Sequence, residues 1–185
     1  MRLLFHIRRG TTKGGLSGRD NQPLRHGQRG SVLLCVVLWS LLSTVLAHRF
    51  AYSSFRVVGA SMQPTLREGD WRLVNRWKHR LFGVQHGDVL LVRDPETGGG
   101  VVKRVIGLPG DVLQFRIDGV YRNYRRLREY YLQEGAYTWS RRHQERIIML
   151  EKGEYFVLGD NRLNSVDSRT YGPVYDADIL GVVTY

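Results

Sequence analysis

Cysteine is nearly missing from the 185 residues: only Cys35 is present. One thiol excludes an intramolecular disulfide and any zinc site built on cysteines. Cys35 also lies inside an apolar run, where it reads as a small hydrophobe and not as a nucleophile; the redox compartment stays open. Acidic residues are scarce as well, with 17 Asp+Glu against 28 Lys+Arg and a formal net charge of +11. That excess implies an anionic partner, nucleic acid or a lipid headgroup surface, and charge alone does not choose between them. No histidine pair has the H-E-x-x-H spacing of a zinc peptidase, which argues against a metallopeptidase. His48, His79, His86 and His143 are scattered outside any motif, so a histidine triad has no support either. There is no internal repeat. A hydrophobic share of 42% is enough for a packed core and argues against wholesale disorder.

The chain reads as three parts. Residues 1–30 carry Arg2, Arg8, Arg9, Lys13, Arg19, Arg25 and Arg29 against a single acid, Asp20, and show no apolar periodicity. This predicts a flexible basic tail. Residues 31–47 contain no charge, and extending them to Tyr52 gives the ~20 residues that cross ~30 Å of hydrocarbon. Arg49 then snorkels at the far interface. The run is apolar all round and not on one stripe, which favours a membrane anchor at 31–52 over a buried helix. Val45-Leu46-Ala47 loosely fits a signal-peptide cleavage pattern, but the basic segment is long for one, and an uncleaved anchor is the preferred reading. The positive-inside rule places the tail in the cytoplasm and residues 53–185 on the other side.

From residue 55 onward, short strand-like runs alternate with Gly, Pro and Asp. Strands are expected at 55–58, 71–75, 88–92, 101–106, 112–116, 155–158 and 179–184, with turns such as Pro109-Gly110-Asp111 between them. The spacing predicts a mainly antiparallel β domain. Between about 118 and 152 the alternation blurs and charge rises, which reads as an insertion, part helical or extended. Arginines at 122–128 and 141–146, interleaved with tyrosines over 121–131, also fit a basic binding surface that stacks nucleic-acid bases; a solvated charged insertion is the simpler account.

Three segments stand out chemically. In Gly59-Ala60-Ser61-Met62-Gln63-Pro64-Thr65, Ser61 stands where a strand gives way to a turn, exposed on one side and held on the other, as a nucleophile requires. In the strand at 101–106, Lys103 shares a face with Val101 and Val105, and Arg104 shares the other with Val102 and Ile106. One of the two cations therefore lies among apolar neighbours. Only a lysine loses its proton there at workable pH. The segment 159–174 packs Asp160, Asn161, Asn164, Ser165, Asp167, Ser168 and Arg169 together, which suits a loop that fixes other groups, with Asp167 and Arg169 available as an ion pair. A calcium loop fails, because Arg162 stands where a ligand belongs and no glutamate closes the loop. Taken singly, the three also fit a turn serine, a surface lysine and an ordinary loop.

In order, however, Ser61-Met62-x-Pro64-Thr65-Leu66, Lys103-Arg104-Val105-Ile106-Gly107-Leu108-Pro109-Gly110-Asp111 and Gly159-Asp160-Asn161 with Ser165, Asp167-Ser168-Arg169 and Gly172-Pro173-Val174 resemble the signature boxes of type I signal peptidases. The resemblance runs from about residue 31 to the C-terminus and is weak between 112 and 153. It implies a signal-peptidase/LexA-like antiparallel β core behind a single-pass transmembrane helix. It implies a serine endopeptidase that removes signal peptides from exported preproteins, with Ser61 as nucleophile and Lys103 as general base. The Ser61 backbone N–H is the implied oxyanion donor; where many members carry a serine that adds a hydroxyl, this chain has Gly59. Ser165 matches the serine that hydrogen-bonds the lysine, and Asp167 and Arg169 match a pair that braces the loop. Met62 and Leu66 are candidates for lining small apolar substrate pockets. No metal or cofactor is implied; the implied partners are preprotein signal peptides and the lipid bilayer, without nucleic acid. A lysine in the second box resembles the bacterial or mitochondrial branch, and the bacterial plasma membrane is preferred over the mitochondrial inner membrane. A self-cleaving SOS-type repressor shares the core and dyad, but it needs a DNA-binding helical domain in front and no span.

Overall fold

The computed structural model describes residues 26–138 and 147–185. The described residues divide into two units, the first ending at Leu42 and the second running from Ser43 to Tyr185. In the first, the described residues form the leading part of one helix, α1 (His26–Ala51), which continues into the second. Within α1, Gly30–Ala51 is long and apolar enough to cross a membrane. Its 22 residues, at ~1.5 Å each, rise ~33 Å against ~30 Å of hydrocarbon. Large apolar side chains such as Leu33, Leu38 and Trp39 are exposed along it, as expected of a helix solvated by lipid and not by protein. The basic tail expected at 1–30 lies, but for its last five residues, outside the described residues, as does the arginine cluster at 141–146.

The second unit is mainly β. Its strands are β1 (Tyr52–Arg56), β2 (Trp71–Asn75), β3 (Val89–Arg93), β4 (Gly100–Gly107), β5 (Val112–Arg116) and β6 (Gly119–Arg122). They are followed by β7 (Arg125–Arg126), β8 (Ile147–Met149), β9 (Glu154–Leu158), β10 (Val174–Tyr175) and β11 (Ile179–Thr184). Two short helices, α2 (Lys78–Phe82) and α3 (Ser168–Tyr171), interrupt them. A seven-stranded sheet runs β1-β2-β11-β3-β4-β9-β10, and a four-stranded sheet runs β7-β6-β5-β8. Every pairing is antiparallel.

The first strand lies earlier than the expected 55–58. Tyr52 to Arg56 pair with β2, whereas Val57 forms the neck of the next loop by exchanging backbone hydrogen bonds with Gly69 and Asp70. Val57 serves packing and not sheet pairing, and Val58 is exposed. The insertion is extended: β6, β7 and β8 fall inside 118–152, and that stretch contains no helix among the described residues. Its alternation is hidden because the strands are only two to four residues long.

Strand β4 lies between β3 and β9 and is covered on both faces from Lys103 to Gly107. One face meets a cluster of Leu90, Val92, Val105, Val157 and Val182. The other adjoins Val57, Met62, Leu66, Val74 and Val89, with Val102 packed against them. A third cluster, Ile106, Leu113, Phe115, Phe156 and Leu158, joins the two sheets, with the Phe115 and Phe156 rings 5.5 Å apart. Two-sided cover is what allows β4 to hold charged groups away from water.

Candidate active site

The loop between β1 and β2 carries Ser61. It closes on itself where Leu66 N–H donates to Met62 O at 2.9 Å. Met62 and Leu66 are 2% and 0% exposed and sit in the core as two pegs beneath the loop. They therefore do not line an open pocket; their apolar bulk, expected to face substrate, is spent anchoring the backbone around Ser61. Gly59 has φ of +82°, a conformation costly for any residue with a Cβ, and a side chain there would point into open space. Glycine at this position follows from the backbone, and no side-chain hydroxyl is available from it.

From β4, Lys103 reaches Ser61: Nζ and Oγ are 3.2 Å apart. Lys103 pairs with Leu90 across β3 and is 4% exposed. Burial pushes its pKa below the ordinary 10.5. The carboxylates of Asp167 and Asp94 pull it back up, and the Arg169 guanidinium pushes it down again. Lysine in this setting sheds its proton more readily than in water.

The loop after β9 grips the Ser61 loop from the other side. Asn161 N–H donates to Ser61 O at 2.9 Å, and its side-chain amide donates to Ala60 O at 3.2 Å. Gly159 is required by space: a Cβ there would lie 2.6 Å from Ser61 O and would collide with Ser165 Oγ. Asp167 is fully buried. Its carboxylate accepts from Gly159 N–H at 3.0 Å and from two nitrogens of Arg169 at 2.8 and 2.7 Å, and it caps α3 through Arg169 N–H. Burial opposes its charge, but the Arg169 guanidinium and the Gly159 N–H outweigh this and hold its pKa below the usual carboxylate value. The hydrogen bond expected from Ser165 to Lys103 is not formed. Ser165 Oγ is buried beside the Asp167 carboxylate, whose charge it helps to hold, and packs over Gly159, where the missing side chain makes room for it.

Alternation along β4 implied that one cation is buried; both are. Arg104 is 4% exposed on the opposite face from Lys103. It donates to Asp160 through Nε at 2.8 Å and Nη2 at 2.7 Å, a bidentate pair. Further bonds go to Gly87 O, Tyr185 OH and Thr65 Oγ1. Thr65 Oγ1 also donates to Asp160. Burial disfavours the Arg104 charge, but its bonds to Asp160 and Tyr185 prevail and keep it firmly protonated. Arg162 is likewise buried and ion-paired, to Glu129. Sequence reasoning missed both pairs; the signal was a second cation beside Lys103 that had to find an acid if both faces of the strand were covered. No group of His, Cys, Asp and Glu suited to a metal occurs among the described residues.

Comparisons with known proteins place the chain in a family. The model of the family described as signal peptidase, peptidase S26, matches residues 29–185. Signal peptidase I V of Bacillus subtilis is 34% identical over 80% of this chain and 94% of its own length. Signal peptidase IB of Staphylococcus aureus is 31% identical over 74% of this chain and 78% of its own. A signal peptidase I crystal structure from Enterococcus faecalis is 36% identical, covering 55% of this chain and 97% of that one, with a TM-score of 0.47. By its relatives this chain is a serine endopeptidase. The chain belongs to the signal peptidase family, peptidase S26, whose members are serine endopeptidases.

Proposed function

We propose that this protein removes signal peptides from exported preproteins at a membrane surface, with Ser61 as nucleophile and Lys103 as general base. The observation that carries the reading is the 3.2 Å approach of Lys103 Nζ to Ser61 Oγ in a setting that lowers the amine's pKa. With Lys103 neutral, the Ser61 hydroxyl donates to Nζ. Attack of Oγ on the scissile carbonyl transfers that proton to Nζ. The tetrahedral intermediate expels the amine of the mature protein, which takes the proton from the Lys103 ammonium and leaves an acyl ester on Oγ. Water then attacks the ester, again losing a proton to Nζ, and the ammonium returns it to Oγ as the free carboxylate forms. The Ser61 N–H donates to no backbone carbonyl among the described residues and is free to meet the oxyanion. Gly59 adds no hydroxyl to it.

Substrate choice follows from shallow pockets that take small residues one and three positions before the cut. Met62 and Leu66 support those pockets from beneath. The span at Gly30–Ala51 anchors the enzyme, with the basic tail in the cytoplasm and the β domain on the far side, where a signal peptide emerges. The bacterial plasma membrane is the preferred location over the mitochondrial inner membrane, and the curated relatives named above are bacterial.

Ser61→Ala and Lys103→Ala are each expected to abolish processing of a model preprotein by the full chain in detergent. Lys103→Arg is expected to give no rescue, because a guanidinium keeps its proton. Processing retained by either alanine variant would overturn the assignment.

A further inference from the structure

Two residues outside the three signature segments converge on the site. Tyr131 and Glu129 follow β7, in the stretch that matches no signature. The Tyr131 ring covers the Arg104 guanidinium, with Cζ 4.1 Å from its centroid. Its hydroxyl donates to Glu129 at 2.8 Å. Glu129 pairs with Arg162 at 2.5 Å, and Arg162 also donates to Tyr131 OH at 3.3 Å, to Gly159 O at 3.0 Å and to Thr138 Oγ1. Two buried guanidiniums, one from β4 and one from the loop after β9, thus share one ring, and Glu129 ties that ring's hydroxyl to the second of them.

The geometry gives this a consequence. The edge of Arg104 is held by Asp160, Gly87, Tyr185 and Thr65, but hydrogen bonds in the plane do not stop a guanidinium from tilting. A ring against its face does. Arg104 fixed in tilt fixes Asp160 and, through it, Thr65, which lies four residues beyond Ser61 in the same loop. Arg162, fixed by Glu129, holds Gly159 O. Between Asp160 and Arg162 stands Asn161, whose backbone and side chain grasp Ser61 O and Ala60 O. We infer that Tyr131 and Glu129 are positioning residues for hydrolysis, holding Arg104 and Arg162 so that the 159–162 backbone sets Ser61 Oγ against Lys103 Nζ. This rests on the reading of Ser61 and Lys103 as the reacting pair.

The test uses the full chain in detergent with a signal-peptide substrate, comparing Tyr131→Leu, Tyr131→Phe and Glu129→Gln, with Ser61→Ala in parallel. Misplacing the nucleophile by a fraction of an ångström to 1 Å is expected to lower kcat by roughly 10- to 100-fold in Tyr131→Leu, with KM little changed. Tyr131→Phe keeps the ring over Arg104 but drops the hydroxyl between Glu129 and Arg162, so it and Glu129→Gln are each expected to lose less kcat than Tyr131→Leu. The acid limb of the pH profile should not move in any of them, since none touches Lys103. A lower Tm with the wild-type kcat per folded enzyme would mean a structural role alone and would overturn the inference, as would a raised KM at unchanged kcat. If Tyr131→Leu does not fold, Glu129→Gln decides by the same readouts. An active Ser61→Ala would overturn the reacting pair itself; an inactive one beside a wild-type kcat in Tyr131→Leu would overturn this inference alone.

Discussion

As the proposed general base, Lys103 carries two opposed demands: it must be neutral to accept a proton, yet its protonated form must be stable enough to form. Burial supplies the first, while the Asp167 and Asp94 carboxylates restrain the shift. The lowered pKa means that the folded protein holds a proton on Lys103 less readily than the unfolded chain. Its cost to stability is therefore full below the folded pKa and fades as pH rises toward 10.5. Asp94 offers a clean handle. Its Oδ1 accepts from Glu96 N–H and Thr97 N–H, bonds that an asparagine retains, so Asp94→Asn removes charge and spares the turn. Without that carboxylate the ammonium loses support and the pKa falls further. The acid limb of kcat/KM is expected to move to lower pH in Asp94→Asn; a limb that stays put or moves up would contradict the electrostatic account. At this scale the sequence named Ser61, Lys103, Asp167 and Arg169 by their order in motifs. It did not show that Ser165 makes no hydrogen bond to the lysine, because that depends on how Ser165 and Ser61, 98 residues before Gly159 in the chain, pack around Gly159.

Among the elements, β4 and the loop after β9 decide the site. The strand runs were legible from alternation and turn residues, and most lie within a residue or two of where apolar periodicity put them. The insertion was not, since strands as short as β7 and β8 leave no periodic trace and gain their order from pairing with β5 and β6. Nor was the two-sided cover of β4, which alternation in one strand cannot reveal: it depends on what the β1–β2 loop brings over with Met62 and Leu66. Where that loop meets the loop after β9, packing is tight enough to test. Gly159→Ala is expected to push away the Ser61 backbone and the Ser165 side chain, costing about 1–3 kcal/mol as an overpacked substitution and sharply lowering kcat. Wild-type Tm and kcat in that variant, measured by thermal unfolding and substrate cleavage, would show that the contact does not set the site.

The whole molecule combines a hydrophobic span with a strongly basic composition, and both were legible without a structure. Twenty-eight basic residues suggested nucleic acid or lipid as partner. In the β unit, several of them prove to be occupied within the fold: Arg104, Arg162 and Arg169 neutralise Asp160, Glu129 and Asp167. Counting charge cannot separate such internal cations from surface ones. What the fold achieves is the delivery of three distant segments to one point, with a lysine on one face of a central strand and an arginine paired to Asp160 on the other.

The central claim is that the amine at position 103 gives up its proton while folded, and the most direct measurement follows that amine itself. In the full-length Ser61→Ala protein, with lysine labelled at Cε and Lys103→Met used to assign the resonance, NMR titration is expected to place its pKa below 10.5, matching the acid limb of kcat/KM in the wild type. An amine that titrates at 10.5 or above, or whose pKa departs from the activity profile, would contradict the account.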